Sequence, residues 1–156
     1  MKKNSYNKGE IKVKNFIKLE NVTKTYKIGE KSFYAVKDMS FSIPKGEFVV
    51  ILGPSGAGKS TLLNLLGGMD SVTSGDIIID GENIGKYNSC ELTNYRAANI
   101  GFIFQFYNIL PTLTVLENVE LIKDVVKNGK DSLEAIKAVG LEEHVNKFPN
   151  QLSGGE

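Results

Sequence analysis

The sequence predicts an α/β fold in which a buried strand runs into a glycine-rich loop that opens a helix. Three observations carry this. Phe48-Val49-Val50-Ile51-Leu52 is a short apolar run without polar alternation, the pattern of a strand covered on both faces. Gly53-Pro54-Ser55-Gly56-Ala57-Gly58-Lys59-Ser60 begins at its carboxyl end with the spacing of a mononucleotide phosphate loop. From Lys59 onward, Leu62, Leu63, Leu65 and Leu66 form the apolar face of a helix that Gly67-Gly68 ends.

The flanking segments extend this picture. Phe16-Ile17-Lys18-Leu19-Glu20-Asn21-Val22 reads as a strand, and Met39, Phe41 and Ile43 alternate with Ser40 and Ser42 as a half-buried strand does. Pro44-Lys45-Gly46 forces a turn before the apolar run. Downstream, Asp76-Ile77-Ile78-Ile79-Asp80-Gly81 predicts a strand entering a hairpin turn, and Ile100-Gly101-Phe102-Ile103-Phe104 predicts another strand that stops at Gln105. Helices follow. Thr114 and Asp131 each precede a glutamate by three residues, Glu117 and Glu134, which is the spacing of a reciprocal helix cap, and Gly140 closes the second helix. Pro149-Asn150 is the last break, and no repeat or linker divides the chain.

Charge excludes some partners. Nineteen Lys and Arg against 18 acids give a net charge of +1 over 156 residues, so no global field gathers nucleic acid or an anionic membrane. Lys2, Lys3, Lys8, Lys12 and Lys14 face the single acid Glu10, and residues 1–15 are expected to be a solvated, disordered basic tail. That tail lacks the apolar run of a secretory signal, and no stretch reaches the roughly 20 apolar residues that span a bilayer. The expectation is a chain soluble by itself. Cys90 is a lone cysteine, read as a partly buried thiol in a reducing compartment.

The loop carries the chemistry. Glycine at 53, 56 and 58 lets successive backbone N–H groups converge on phosphate oxygens, and the helix that starts near Lys59 adds its positive dipole end. Lys59 reaches toward the β- and γ-phosphates, Ser60 offers a hydroxyl to Mg²⁺, and Thr61 supplies another hydroxyl nearby. Gly53, Pro54, Ser55, Gly56, Ala57, Gly58, Lys59, Ser60 and Thr61 are therefore the candidate residues for ATP with Mg²⁺. Kinases, GTPases and motor ATPases share such a loop, so a second motif must decide among them.

Leu152-Ser153-Gly154-Gly155-Glu156, about a hundred residues later, resembles the signature motif of ATP-binding cassette (ABC) ATPases, with Glu156 where glutamine is usual. Gln105 resembles that family's loop glutamine, which contacts Mg²⁺ or the attacking water. Tyr26, in Val22-Thr23-Lys24-Thr25-Tyr26, resembles its adenine-stacking aromatic, with Tyr34 as the fallback. The surroundings of Gln105, from Ile100 to Pro111, are similar to cassettes of macrolide-export, lipoprotein-release and antimicrobial-peptide resistance systems. The resemblance covers residues 16–156.

The resemblance implies a P-loop NTPase of the ABC-ATPase fold, truncated, with an antiparallel β subdomain and a helical subdomain over about 106–150. It implies an ATP-binding transporter subunit that couples hydrolysis to export or extraction, lying at the inner face of the cell membrane through a permease. Residues 112–150, including Val115, Leu116 and Val119, would dock there. Two copies would sandwich two ATP molecules, with Leu152, Ser153, Gly154, Gly155 and Glu156 of one facing the phosphate loop of the other. Lys59 and Gln105 would be catalytic, Ser60 and Gln105 would hold the metal, and no nucleic acid is expected.

The family's Walker B glutamate and switch histidine follow its signature motif and do not occur in these 156 residues. Asp76 to Glu82 imitates the Asp-Glu strand, but Gly81 stands in the glutamate's place, and His144 precedes the signature motif. The residues by themselves are therefore expected to fold poorly and to hydrolyse ATP negligibly. Two other readings stay open: a soluble, non-transport ABC ATPase and a non-hydrolysing nucleotide-binding fragment.

Overall fold

A computed structural model describes residues 15–105, 108–123 and 129–155 of the chain. The chain falls into two compact units, one ending at Leu92 and the other beginning at Thr93. The basic tail expected over residues 1–15 lies outside the described residues except for Asn15, which already pairs with Pro44.

The first unit is built on an antiparallel sheet of order β2-β1-β3-β4. Strands β1 (Asn15–Ile28) and β2 (Lys31–Pro44) form a long hairpin, and β3 (Ser74–Ile79) pairs with the other edge of β1. Leu19 is opposite Phe41 on one side and Ile77 on the other, so the apolar residues of three strands share a register. Leu19, Val22, Val36 and Ile77 are buried, with Leu62 and Leu65 from the helix α1 (Lys59–Leu66). The predicted alternation holds in β2, where Met39, Phe41 and Ile43 are half-buried and Ser40 and Ser42 exposed.

The ladder between β1 and β2 is interrupted where Asn21 and Asp38 take left-handed backbone, with φ of 51° and 47°. Side chains replace the lost ladder bonds. The Asn21 N–H donates to Ser40 Oγ at 2.8 Å, and the Asp38 N–H donates to Thr23 Oγ1 at 3.0 Å. The hairpin turn predicted at Asp80-Gly81 forms, with positive φ at both residues (47° and 92°), and leads into β4 (Glu82–Asn83).

Two predicted strands do not form. Phe48 to Leu52 has no ladder partner among the described residues, and Phe48 and Leu52 are 91% and 86% exposed rather than covered. Ile100 to Phe104 is likewise irregular, with Ile103 exposed. A run of β-branched and aromatic residues states a preference for a pleated, buried surface, but a strand also needs neighbours to take its N–H and C=O groups. In their place Phe102 stacks on Phe104, with centroids 5.4 Å apart. Cys90, read as partly buried, is exposed.

One helix was not foreseen. Helix α2 (Ser89–Asn99), within which the division into units falls, begins with a reciprocal cap: Asn88 Oδ1 accepts from the N–H groups of Cys90 and Glu91, and Glu91 Oε2 accepts from that of Asn88. The Asn88-x-x-Glu91 spacing is the signal that announces it.

In the second unit, Thr114 and Glu117 make the predicted reciprocal cap at the start of α3 (Val115–Lys123). Asp131 caps α4 (Ser132–Ala138) by accepting from Leu133 and Glu134 N–H groups, and Gly140 (φ 75°) closes it. The first N–H groups of α3 donate to Lys147 and Val145 carbonyls, which ties residues 145–147 to this helix. Val115, Leu116 and Val119 are half-buried.

Asn118 secures the segment that leads into α3. Its Nδ2 donates to the carbonyls of Leu110, Leu113 and Thr114 at 2.9–3.1 Å, and its Oδ1 accepts from the Leu110 N–H at 2.8 Å. Asn118→Asp keeps the acceptor but removes every donor and sets a carboxylate beside three carbonyls. The variant should lose about 1–3 kcal/mol of local stability. Hydrogen exchange should show faster protection loss at residues 110–118 while the sheet amides are unchanged.

Candidate functional site

The phosphate loop takes its shape from its glycines. Gly56 and Gly58 have φ of 79° and 82°, a backbone region costly to any residue with a Cβ. A Cβ at Gly58 would also overlap the Ala35 carbonyl oxygen, so the loop closes directly against the β2 backbone. A Cβ at Gly56 would meet nothing within 4 Å. The loop is therefore fixed at its helix end and open at its centre.

Gly58 is the residue before α1, and no side chain caps that helix start among the described residues. An uncapped start leaves backbone N–H groups without a side-chain partner at the positive end of the dipole, an arrangement that favours an anion. The loop folds on itself through the Ala57 N–H, which donates to Pro54 O at 3.2 Å. Lys59 curls back over it, its Nζ donating to Gly53 O at 2.8 Å and Pro54 O at 2.7 Å. The ammonium is thus held at the loop mouth by two weak neutral acceptors that a phosphate oxygen outcompetes. Ser60 is exposed and Thr61 half-buried in the first turn of α1.

The Tyr26 phenol donates to Asp70 Oδ2 at 2.6 Å. The Tyr26 ring lies beside Phe33, its cross-strand neighbour, at 5.6 Å, and the Lys24 ammonium sits 5.0 Å from its centroid. Tyr34, the fallback aromatic, is exposed, with the Lys37 ammonium 5.1 Å from its ring centroid.

Lys24 and Asp70 were not among the residues singled out in the sequence. Lys24 Nζ donates to Asp70 Oδ1 at 2.6 Å and to Ser71 O at 2.7 Å, and its side chain is only 11% exposed. Asp70 follows the Gly67-Gly68 helix end by two residues, and no spacing rule connects it to a lysine 46 positions upstream. Burial pushes the Asp70 carboxyl up, but hydrogen bonds from Lys24, Tyr26 and the Ser71 N–H outweigh it and hold the group below its ordinary value of 3.8. The Asp70 carboxylate raises the Tyr26 phenol above its ordinary 10.0, first by accepting its hydrogen bond; burial and the carboxylate's charge add to this, and Thr61 pulls the other way.

Gln105 and the signature residues belong to the second unit. Gln105 is exposed at the end of the irregular Phe102–Phe104 stretch. Leu152 is half-buried and Ser153, Gly154 and Gly155 are exposed just after the turn at Pro149–Gln151, where the Phe148 N–H donates to Gln151 Oε1 at 2.8 Å. Glu156 lies outside the described residues.

A glycine loop closed on β2 and a signature-like turn about a hundred residues later are both present, and the sequence pattern of the family described as ABC transporter matches residues 36–156. The chain belongs to the ABC transporter family. An ABC transporter ATP-binding protein of Methanocaldococcus jannaschii, MJ0796, is 48% identical over 149 residues, which is 90% of this chain and 63% of that protein. The ABC transporter ATP-binding protein YxdL of Bacillus subtilis is 41% identical over 147 residues, 91% of this chain and 57% of that protein. Among solved structures, the dimeric post-hydrolysis state of MJ0796 bound to ADP and Pi is similar with a TM-score of 0.78, at 47% identity, covering 89% of this chain and 64% of that one. A second dimeric MJ0796 structure is similar with a TM-score of 0.79, at 45% identity and the same coverage. The chain thus spans less than two thirds of the length of these ABC proteins, and its fold is that of the ABC ATPase cassette over the shared part.

Two results are expected. Gly56→Ala should cost about 1–2 kcal/mol from its backbone region alone, whereas Gly58→Ala, which adds the overlap with Ala35, should cost clearly more; urea midpoints of the two variants compare them. For pH, Asp70 is lowered, so its contribution is present above pH 3.8 and lost as pH falls through its lower folded value. Tyr26 is raised, so its contribution is present below pH 10.0 and lost as pH rises through its higher folded value. The stability gap between the wild type and Asp70→Asn should therefore be widest in between and narrow below about pH 4, as measured by urea melts at several pH values.

Proposed function

We propose that the chain forms the ATP-binding part of an ABC transporter subunit, in which ATP with Mg²⁺ is held at Gly53–Thr61 and drives a membrane permease to export or extract its cargo. The observation that carries this reading is the loop itself: glycine-shaped, leading into an uncapped helix start, with the Lys59 ammonium already over its mouth. The residues present fit the group. Backbone N–H groups of the loop and the first turn of α1 bind phosphate oxygens, Lys59 reaches the β- and γ-phosphates, and Ser60 supplies a hard oxygen ligand suited to Mg²⁺. When bound, Mg²⁺ neutralises charge on the phosphates.

Tyr26 stacks on the base in this reading, and its hydrogen bond to Asp70, just beyond the end of α1, supports that placement. Gln105 contacts the metal or orients water, and Ser153, Gly154 and Gly155 complete the phosphate site of a second copy. The dimeric state of the MJ0796 cassette bound to ADP and Pi supports the two-copy arrangement. No helix among the described residues is long and apolar enough to cross a membrane. In this reading the permease is reached through the helical segment around α3. The similarity of residues 100–111 to macrolide-export and lipoprotein-release cassettes favours export or extraction over uptake.

In the intact protein, Lys59→Ala should weaken ATP binding by at least about tenfold, equivalent to about 1.4 kcal/mol, as read by calorimetric titration. Unchanged affinity would remove the loop from the site. The 156 residues alone, without a water-activating carboxylate from an Asp-Glu strand, should release phosphate from ATP negligibly. Steady turnover by that purified piece would overturn this division of roles.

A further inference from the structure

We propose that Asp70 is a positioning residue for the nucleotide base: it holds the Tyr26 ring at a fixed place relative to the phosphate loop. This rests on the reading of Tyr26 as the base-stacking residue.

The Tyr26 hydroxyl is held by Asp70, whose Oδ2 accepts its hydrogen bond at 2.6 Å. Asp70 follows the end of α1, where the N–H groups of Met69 and Asp70 donate to Asn64 O at 2.8 and 3.3 Å. The helix that would receive the phosphates at its start therefore also sets the position of the aromatic ring.

The other oxygen of Asp70 is committed as well. Oδ1 accepts from Lys24 Nζ at 2.6 Å and from the Ser71 N–H at 2.8 Å, so the carboxylate cannot rotate without breaking several charge-assisted bonds. Lys24, nearly buried, has this carboxylate and the Ser71 carbonyl as its partners, and a buried ammonium is costly without them. Tyr26 and Lys24 are two residues apart on β1 and so share a face of the strand. The result is a brace between β1 and α1 with the phenol as one member. A tyrosine serving only as a stacking surface needs no such anchor, and phenylalanine would suffice. The hydroxyl is what converts the ring from a mobile cover into a preorganised platform, and preorganisation raises affinity by removing an ordering cost on binding.

The test uses two probes in the intact protein: ATP, which has a base, and inorganic tripolyphosphate, which has none, both with Mg²⁺. Tyr26→Phe keeps the ring and loses the anchor, while Asp70→Asn keeps the phenol and loses the charged acceptor. Each should weaken ATP binding about three- to tenfold and leave tripolyphosphate binding unchanged. The double variant should be no weaker than the weaker single variant, because both act through one contact. Loss of affinity for both probes together would mark the brace as purely structural and overturn the proposal. So would unchanged ATP affinity in both single variants when Tyr26→Ala weakens it, an outcome that leaves base stacking standing. If Tyr26→Ala leaves ATP affinity unchanged, the stacking reading fails and the proposal falls with it. Should Asp70→Asn not fold, because it strands the Lys24 charge, Tyr26→Phe carries the test alone.

Discussion

Backbone lies against backbone at Gly58 and Ala35, and the first unit is organised around that approach. A side chain on residue 58 would overlap the Ala35 carbonyl, so only glycine lets the loop close on β2. The positive φ of Gly58 then turns the chain into α1 in the direction that buries Leu62 and Leu65. The far end of the same helix is held by polar contacts, through Asp70 to Lys24 and Tyr26 of β1. One helix is thus fixed to two strands at its two ends, once by steric necessity and once by charge. The uncapped N–H groups at its start owe their fixed direction to both.

Much of this was legible in the residues. The phosphate loop is written as a contiguous motif because its geometry is local: glycine where φ is positive, lysine where a cation must reach back over the loop. Helix starts at Thr114 and Asp131 and the turn at Asp80-Gly81 were legible for the same reason, since caps and tight turns are settled within a few residues. Asn88 and Glu91 carried an equally local signal that went unread. The Asp70 brace has no local signal, because its partners are 44 and 46 residues away and meet only once the sheet has formed.

The apolar runs at 48–52 and 100–104 illustrate the opposite case. Their composition states the environment they suit, a two-sided cover in the interior of a sheet, and a ladder requires a neighbour that the described residues do not provide. Phe48 and Leu52 stand almost fully exposed as a result. The family members matched here are longer than this chain, which spans 57% to 64% of those compared. The two halves of the candidate site also differ in this respect: the loop is complete in its local contacts, whereas Gln105 and the Ser153–Gly155 turn are exposed residues whose chemistry depends on what faces them.

In the proposed reading α1 fixes both ends of the nucleotide site, the phosphates at the loop and the base at Tyr26. Photolabelling of the intact protein with an azido-adenine analogue of ATP, followed by peptide mapping, tests it directly. The account predicts that the label falls on the β1 peptide containing Tyr26, and that excess ATP prevents it. Label that ATP displaces but that lies wholly outside β1 and β2 would contradict it.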